Sequence, residues 1–272
     1  MPKFDMGAAW DDSMTLLRSH TTLTGAIAAV FFFLPALAVS WFGPTPMEPA
    51  DGATFEQMMA TLRDSAQQAV PYQLLISVIA AVGGVGILRL WLSRSSTSVG
   101  DALVFALKLI PTMIGVQLLL GLALGLATLL LLMPGIAAAG SAIGALLLFV
   151  GICALIGVCA FFWGRIAVVS PIIADRTVFN PVAAIQESLR LTKGNGWRIF
   201  FFLFLVTVVI VVVAAILGGV IAAVAGTTEG VGRLLIGVVE GGVAAVGGLV
   251  SVAIAAATYR QLAIRGTGDV FA

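Results

Sequence analysis

The chain has 272 residues, of which 60% are hydrophobic and 10% charged, and a formal net charge of +1 at pH 7. Soluble domains carry about 25% charged residues, so a water-exposed globular enzyme is excluded, and so small a net charge points to no nucleic acid or other polyelectrolyte. Two cysteines, Cys153 and Cys159, fall inside one apolar stretch and read as packing residues rather than a disulfide.

In chain order, the stretch MGAAWDDSMTLLRSH spaces Met6, Trp10, Met14 and Leu17 at helical intervals, with Asp11, Asp12, Thr15 and Arg18 facing away. That pattern predicts a short amphipathic helix at a membrane surface. The charge-free run from Arg18 to Glu48 holds a first span at 22–42, since about 20 apolar residues cross the hydrocarbon layer. Ala36-Leu37-Ala38 resembles a cleavage site, but Asp5, Asp11 and Asp12 precede it where a signal peptide is net positive, so retention is predicted.

An outer segment, 43–70, follows, with Phe55, Met58, Met59 and Leu62 on one helical face. It reads either as a helix lying on the outer leaflet or capping the bundle, or as a docking surface for a membrane-protein partner. A second span is predicted at 71–92. SVGDALVFALK is a second amphipathic stretch, ending at Lys108. The next 56 residues, 109–164, carry no charge. A single helix of that length would be roughly 84 Å long, so it folds back, with the turn predicted at Met133-Pro134-Gly135. Spans are therefore predicted at 110–132 and 141–168. Gln117 reads as a packing residue, and Pro111 permits a kink.

The third amphipathic stretch, NPVAAIQESLRLTKGNGWRIF, places Ile185 and Leu189 on one face and Gln186, Glu187, Arg190 and Lys193 on the other. Asn180 is predicted to N-cap this helix with Pro181 at its first position. Lys193 complements the helix C-terminus, and Gly194 suits a left-handed cap. Trp197 and Arg198 belong at headgroup level. The fifth span, 198–224, contains IFFFLFLVTVVIVVV, whose insertion is favoured by roughly 4–8 kcal/mol. The sixth is predicted at 232–258.

With six crossings and the N-terminus inside, twelve of fourteen Lys and Arg residues lie inside, leaving Arg63 and Arg233 outside. The positive-inside rule therefore predicts both termini in the cytoplasm. Arg18, Lys108 and Lys193 recur 90 and 85 residues apart. The chain is expected to be an all-α membrane protein, one polytopic domain over 1–272, built as three units of an interfacial helix and two spans. The alternative is that any loop beside a membrane looks amphipathic.

Pro181, a small residue, then Ser188-Leu189 and Leu191-Thr192-Lys193-Gly194-Asn195 before a span resemble the signature of the YciC-like family of bacterial inner-membrane proteins. That family is related to the membrane domain fused to some glycerophosphodiester phosphodiesterases. The resemblance implies an inner-membrane location and a role in envelope integrity, and it brings no catalytic residues.

Catalytic chemistry is predicted to be absent. His20 is the single histidine, and Asp11 and Asp12 point to different sides of a helix. Neither a metal-ligand set, a phosphate loop nor a Ser/His/Asp set is present, so no cofactor and no enzyme activity are expected. Glu240 is the acid out of place, about 10 Å along the helix from Arg233. It is either a packing residue pairing Arg233 or a proton- or substrate-linked group. The sequence thus favours a non-enzymatic protein contacting lipids or proteins for envelope or lipid homeostasis, through Arg18, Lys108, Arg190, Lys193, Trp197 and Arg198. A small transporter or flippase-like protein using Glu240 is the alternative.

Overall fold

A computed structural model describes residues 3–19, 21–44, 52–93, 98–225 and 230–263. Helix α1 spans Met6–Ser19, α2 Thr21–Ala28 and α3 Leu34–Phe42, with a π-helical turn, Ala29–Phe33, between the last two. Then come α4 (Phe55–Leu92), α5 (Val99–Lys108), α6 (Ile110–Ala137), α7 (Ala142–Ile166), α8 (Val169–Arg176), α9 (Pro181–Leu191), α10 (Gly196–Ala225) and α11 (Gly230–Ala263). Among the described residues, six segments are long and apolar enough to cross a membrane: α2–α3, α4, α6, α7, α10 and α11. No strand occurs among the described residues. The chain is a multi-pass, all-α membrane protein.

A short helix precedes a pair of spans three times, as α1, α5 and α9. Their buried faces differ from those the large apolar residues suggest. Each helix buries a pair of small residues four apart: Ala9 and Ser13, Ala102 and Ala106, Ala184 and Ser188. Met6 and Trp10, expected on the apolar face of α1, are exposed instead. Small residues let a helix approach the bundle closely. Of the large apolar ones, Leu16, Phe105 and Ile185 pack on the core, while Met6, Trp10, Val104, Leu107 and Val182 are exposed.

The turn predicted at 133–135 is not there, because α6 runs through it to Ala137. Gly135 packs against α7, where a Cβ would lie 2.6 Å from the Leu148 nitrogen. The chain turns at Gly140, whose φ is +88°, and the Ser141 hydroxyl caps α7 by accepting the Gly144 N–H at 3.0 Å. The outer segment also differs. From Phe55 it is continuous with the second span as one 38-residue helix, passing through Pro71 and opened by a Thr54–Gln57 capping box. It therefore does not form a separate helix lying flat on a membrane surface.

The largest buried cluster joins α4 (Val82, Val85, Leu88) to α5, α6, α8 and α9, and a smaller one forms where α2 and the π-helical turn meet α4 and α11. Phe31, Phe32 and Phe33 each sit over a glycine: Gly83 of α4, then Gly248 and Gly241 of α11. Pro35, which has no N–H to give, starts α3 directly after the π-helical turn. Gly121 and Gly125 of α6 face open space instead, so not every glycine in the spans is a packing residue. Cys153 and Cys159 are exposed on α7 and unbonded to each other.

Candidate functional site

Helices α1, α5, α8 and α9 gather over one end of the bundle, the capped end, where α1 packs on α11, α5 and α8 on α4, and α9 on α6, α7 and α8. Most long-range polar bonds of the molecule are here, and the NPVAAIQESLRLTKGN stretch is at their centre.

Asn180 caps α9 as its sequence predicts, its side chain accepting the Val182 and Ala183 N–H groups at 2.9 and 3.3 Å. Gly194 has φ +82°, the left-handed conformation expected of it. The surprise is what the buried face does. The Ser188 hydroxyl donates to the Arg165 carbonyl at 2.7 Å, and the Thr192 hydroxyl, which donates to the Ser188 carbonyl at 2.7 Å, lies 3.2 Å from the same Arg165 oxygen. Arg165 lies in the last turn of α7, where carbonyls lack a helical partner. Ser188 on α9 thus closes the end of another helix, with Thr192 one turn on packed beside the same carbonyl. Nearby, Gly164 lets α7 cross α10, since a Cβ there would overlap the Gly196 carbonyl.

Asn195 is buried and accepts the Phe4 N–H at 3.0 Å, joining the N-terminal segment to the start of α10. Gln261 of α11 bonds the Asp5 backbone twice, at 3.1 Å each. Asp12 of α1 pairs with Arg260 at 3.1 Å.

Glu187 receives three bonds. Arg190 grips both its oxygens, at 2.8 and 2.9 Å, and Arg176 at the end of α8 reaches it at 2.6 Å. The hydrogen bond from Arg190 is the largest influence holding the Glu187 carboxyl below its ordinary pKa. Arg176 continues the chain of contacts, donating from Nε to the Tyr259 hydroxyl at 3.3 Å, while that hydroxyl donates to Asp175 at 2.6 Å. Arg89 donates to the Ala174 carbonyl at 3.1 Å and lies over the Phe105 ring. Helix α8, which sequence reasoning passed over, is the common partner.

An acid followed by a serine, on a helix ending in a cation, recurs in α1 and α9, although the Ser13 hydroxyl donates to Ala9 of its own helix where Ser188 donates to α7. Asp12-Ser13 and Glu187-Ser188 each bury the serine and bridge the acid to an arginine in the last turn of another helix. This match deepens the repeat expected from Arg18 and Lys193.

The expected headgroup contacts divide into two groups. Arg190 is occupied by Glu187. The Arg18, Lys108, Lys193 and Arg198 side chains are exposed and have no hydrogen bond or ion pair among the described residues. Trp197 is exposed within an aromatic cluster that includes Phe161 and Phe200. His20 lies outside the described residues.

The expected Arg233–Glu240 pair does not form. Arg233 donates to the Ser40 carbonyl at 3.4 Å instead. Glu240 is exposed on α11 without a polar partner among the described residues. Beside its face, α10 and α11 enclose an open cleft of about 880 Å³, reaching from Met6, Gly7 and Trp10 at the capped end along Phe202 to Leu217 and Val238 to Val250. No charged side chain lines it, and Glu240 is not in its wall. Comparison with protein families, characterised proteins and solved structures finds no match to this chain.

Proposed function

We propose that the chain is a non-enzymatic protein of the bacterial inner membrane, a member of the YciC-like family, that supports envelope or membrane-lipid homeostasis through contacts with lipids or a membrane protein. The capped end is its cytoplasmic face, and both termini are cytoplasmic. The observation that carries this reading is the division of labour among the polar residues of the capped end. Ser188, Thr192, Asn195, Glu187 and Tyr259 are bonded to other segments of the chain, whereas Arg18, Lys108, Lys193 and Arg198 are left exposed. Cations at that depth meet phosphate headgroups, each contributing about 1 kcal/mol near an anionic surface.

The test is removal of the gene product, followed by challenge with detergent and chelator. Loss of barrier function, restored by the intact chain, is expected. An unchanged barrier and lipid composition would contradict the reading.

Glu240 supports a second reading, a small transporter or flippase-like protein, because an acid inside a span is costly and suggests function. Its mark would be uptake or lipid movement in proteoliposomes that Glu240→Gln abolishes. The apolar wall of the neighbouring cleft favours the first reading, since a transport path for a polar substrate needs polar groups along it.

A further inference from the structure

We propose that the cleft between α10 and α11 binds an anionic glycerophospholipid, with acyl chain between the two helices and phosphate on Arg198 and Lys3. This deepens the lipid-contact reading above and rests on it.

The cleft has the shape and chemistry of an acyl-chain site. Its volume of about 880 Å³ falls within the roughly 300–1,000 Å³ of ligand clefts. Its length along α10, Phe202 to Leu217, is roughly 22 Å, while one leaflet of hydrocarbon is roughly 15 Å deep. A chain descending from the capped end is therefore covered over its whole length. The wall is mostly Leu, Val, Ile and Phe, with Gly242 and Gly247 on α11, and Trp10 stands at the capped end, where its indole suits headgroup depth.

Charge at the mouth identifies the head. Arg198 precedes Phe202 by four residues and Leu205 by seven, which places it on the stripe of α10 that lines the cleft, one turn beyond the wall. Lys3 adjoins Phe4, whose ring meets Phe202 at 5.8 Å and whose N–H bonds Asn195. Both cations are exposed and without a side-chain partner among the described residues. The neighbouring Asp5 is already engaged, accepting the Ala8 N–H at 3.0 Å to cap α1. Two free cations above a dry groove complement an amphiphile with a negative head.

A protein helix fits less well. Close helix contacts in membranes use small residues on both partners. Gly242 and Gly247 supply them on the α11 wall, but the facing α10 wall from Phe202 to Leu217 has none, so a third helix could not seat closely against both.

The experiment uses the full chain in nanodiscs of phosphatidylglycerol and phosphatidylethanolamine, with a photoactivatable acyl chain on phosphatidylglycerol. Crosslinks are expected to concentrate on cleft residues such as Val209 and Val246, over equally exposed positions of α6 such as Leu118. Lys3→Gln with Arg198→Gln, both at the surface, should lower phosphatidylglycerol retained in native mass spectrometry about tenfold, the loss of roughly one charge-assisted bond. Val243→Trp should remove the cleft crosslinks, and Leu118→Trp should leave them. Uniform labelling of α6 and the cleft overturns the proposal, as does retention indifferent to the two glutamines. A second copy or another protein crosslinked in the cleft also overturns it. None of these results alters the barrier phenotype, which reports separately on the function proposed above.

Discussion

The core formed by the first span, α4 and α11 and the hairpin of α6 and α7 are made from the same kinds of residue and behave differently. In α4, 39% of the apolar stretch is buried within the protein, and in α6 only 6%. Phenylalanines of the first span sit on glycines of α4 and α11, whereas Gly121 and Gly125 in the middle of α6 face open space. The hairpin is held to the rest where the start of α6 meets α4 and α9, where α7 crosses α10 and where α9 closes the end of α7. Hydrophobicity puts both regions in lipid, but only fitted shapes and placed polar atoms join helices there, because lipid is as apolar as the side chains.

The largest contrast is expected from adding volume to each region. Gly83→Leu drives a side chain into Phe31 and should destabilise by roughly 1–3 kcal/mol or more. Gly125→Leu, with open space around it, should leave the thermal midpoint in detergent unchanged. Equal midpoints for the two variants would break the comparison.

Next comes the polar tie between α9 and α7. Ser188→Ala with Thr192→Val leaves the buried end of α7 without its partners, at a cost of about 1–3 kcal/mol. Thr128→Val in α6 removes a hydroxyl that only bonds its own helix, at the Leu124 carbonyl, and should be nearly silent. Melting curves of the two variants in the same detergent check this.

The smallest effect is that of pH. The Glu187 carboxyl is held below its ordinary pKa, chiefly by the Arg190 hydrogen bond. Its stabilising contribution is therefore complete above the ordinary carboxylate value, about 4.3, and is lost as pH falls through the lower folded value. Acid-side melting should show that loss, and Glu187→Gln should flatten it. An identical acid limb in the variant would remove Glu187 from the account.

Much of the fold is legible in the sequence because charge marks it. Uncharged runs give the six spans, and Asn180 and Gly194 mark the ends of α9 through local rules of capping. Inside the apolar runs that signal disappears. Pro134-Gly135 looks like a turn, yet Gly135 serves close packing and Gly140 turns the chain. The large residues of α1 suggest its buried face, yet Ala9 and Ser13 hold it, because in lipid bulk need not point inward. The partners of Ser188 and Thr192 were invisible for a different reason. Their shared acceptor is a backbone carbonyl more than twenty residues away, and no side-chain pattern marks it. Glu240 stands out in the sequence as an anomaly, but its pairing with Arg233 does not form, and the arginine donates to the Ser40 carbonyl of the first span instead.

The central claim is that the Ser188 to Asn195 stretch is a clamp between helices, with lipid contact left to the exposed cations around it. The most direct measurement is barrier complementation by Ser188→Ala with Thr192→Val, normalised to the amount of folded protein in the membrane. A clamp predicts less folded protein, with undiminished function per folded molecule. Normal folded levels with function lost would contradict it and make the stretch itself the site.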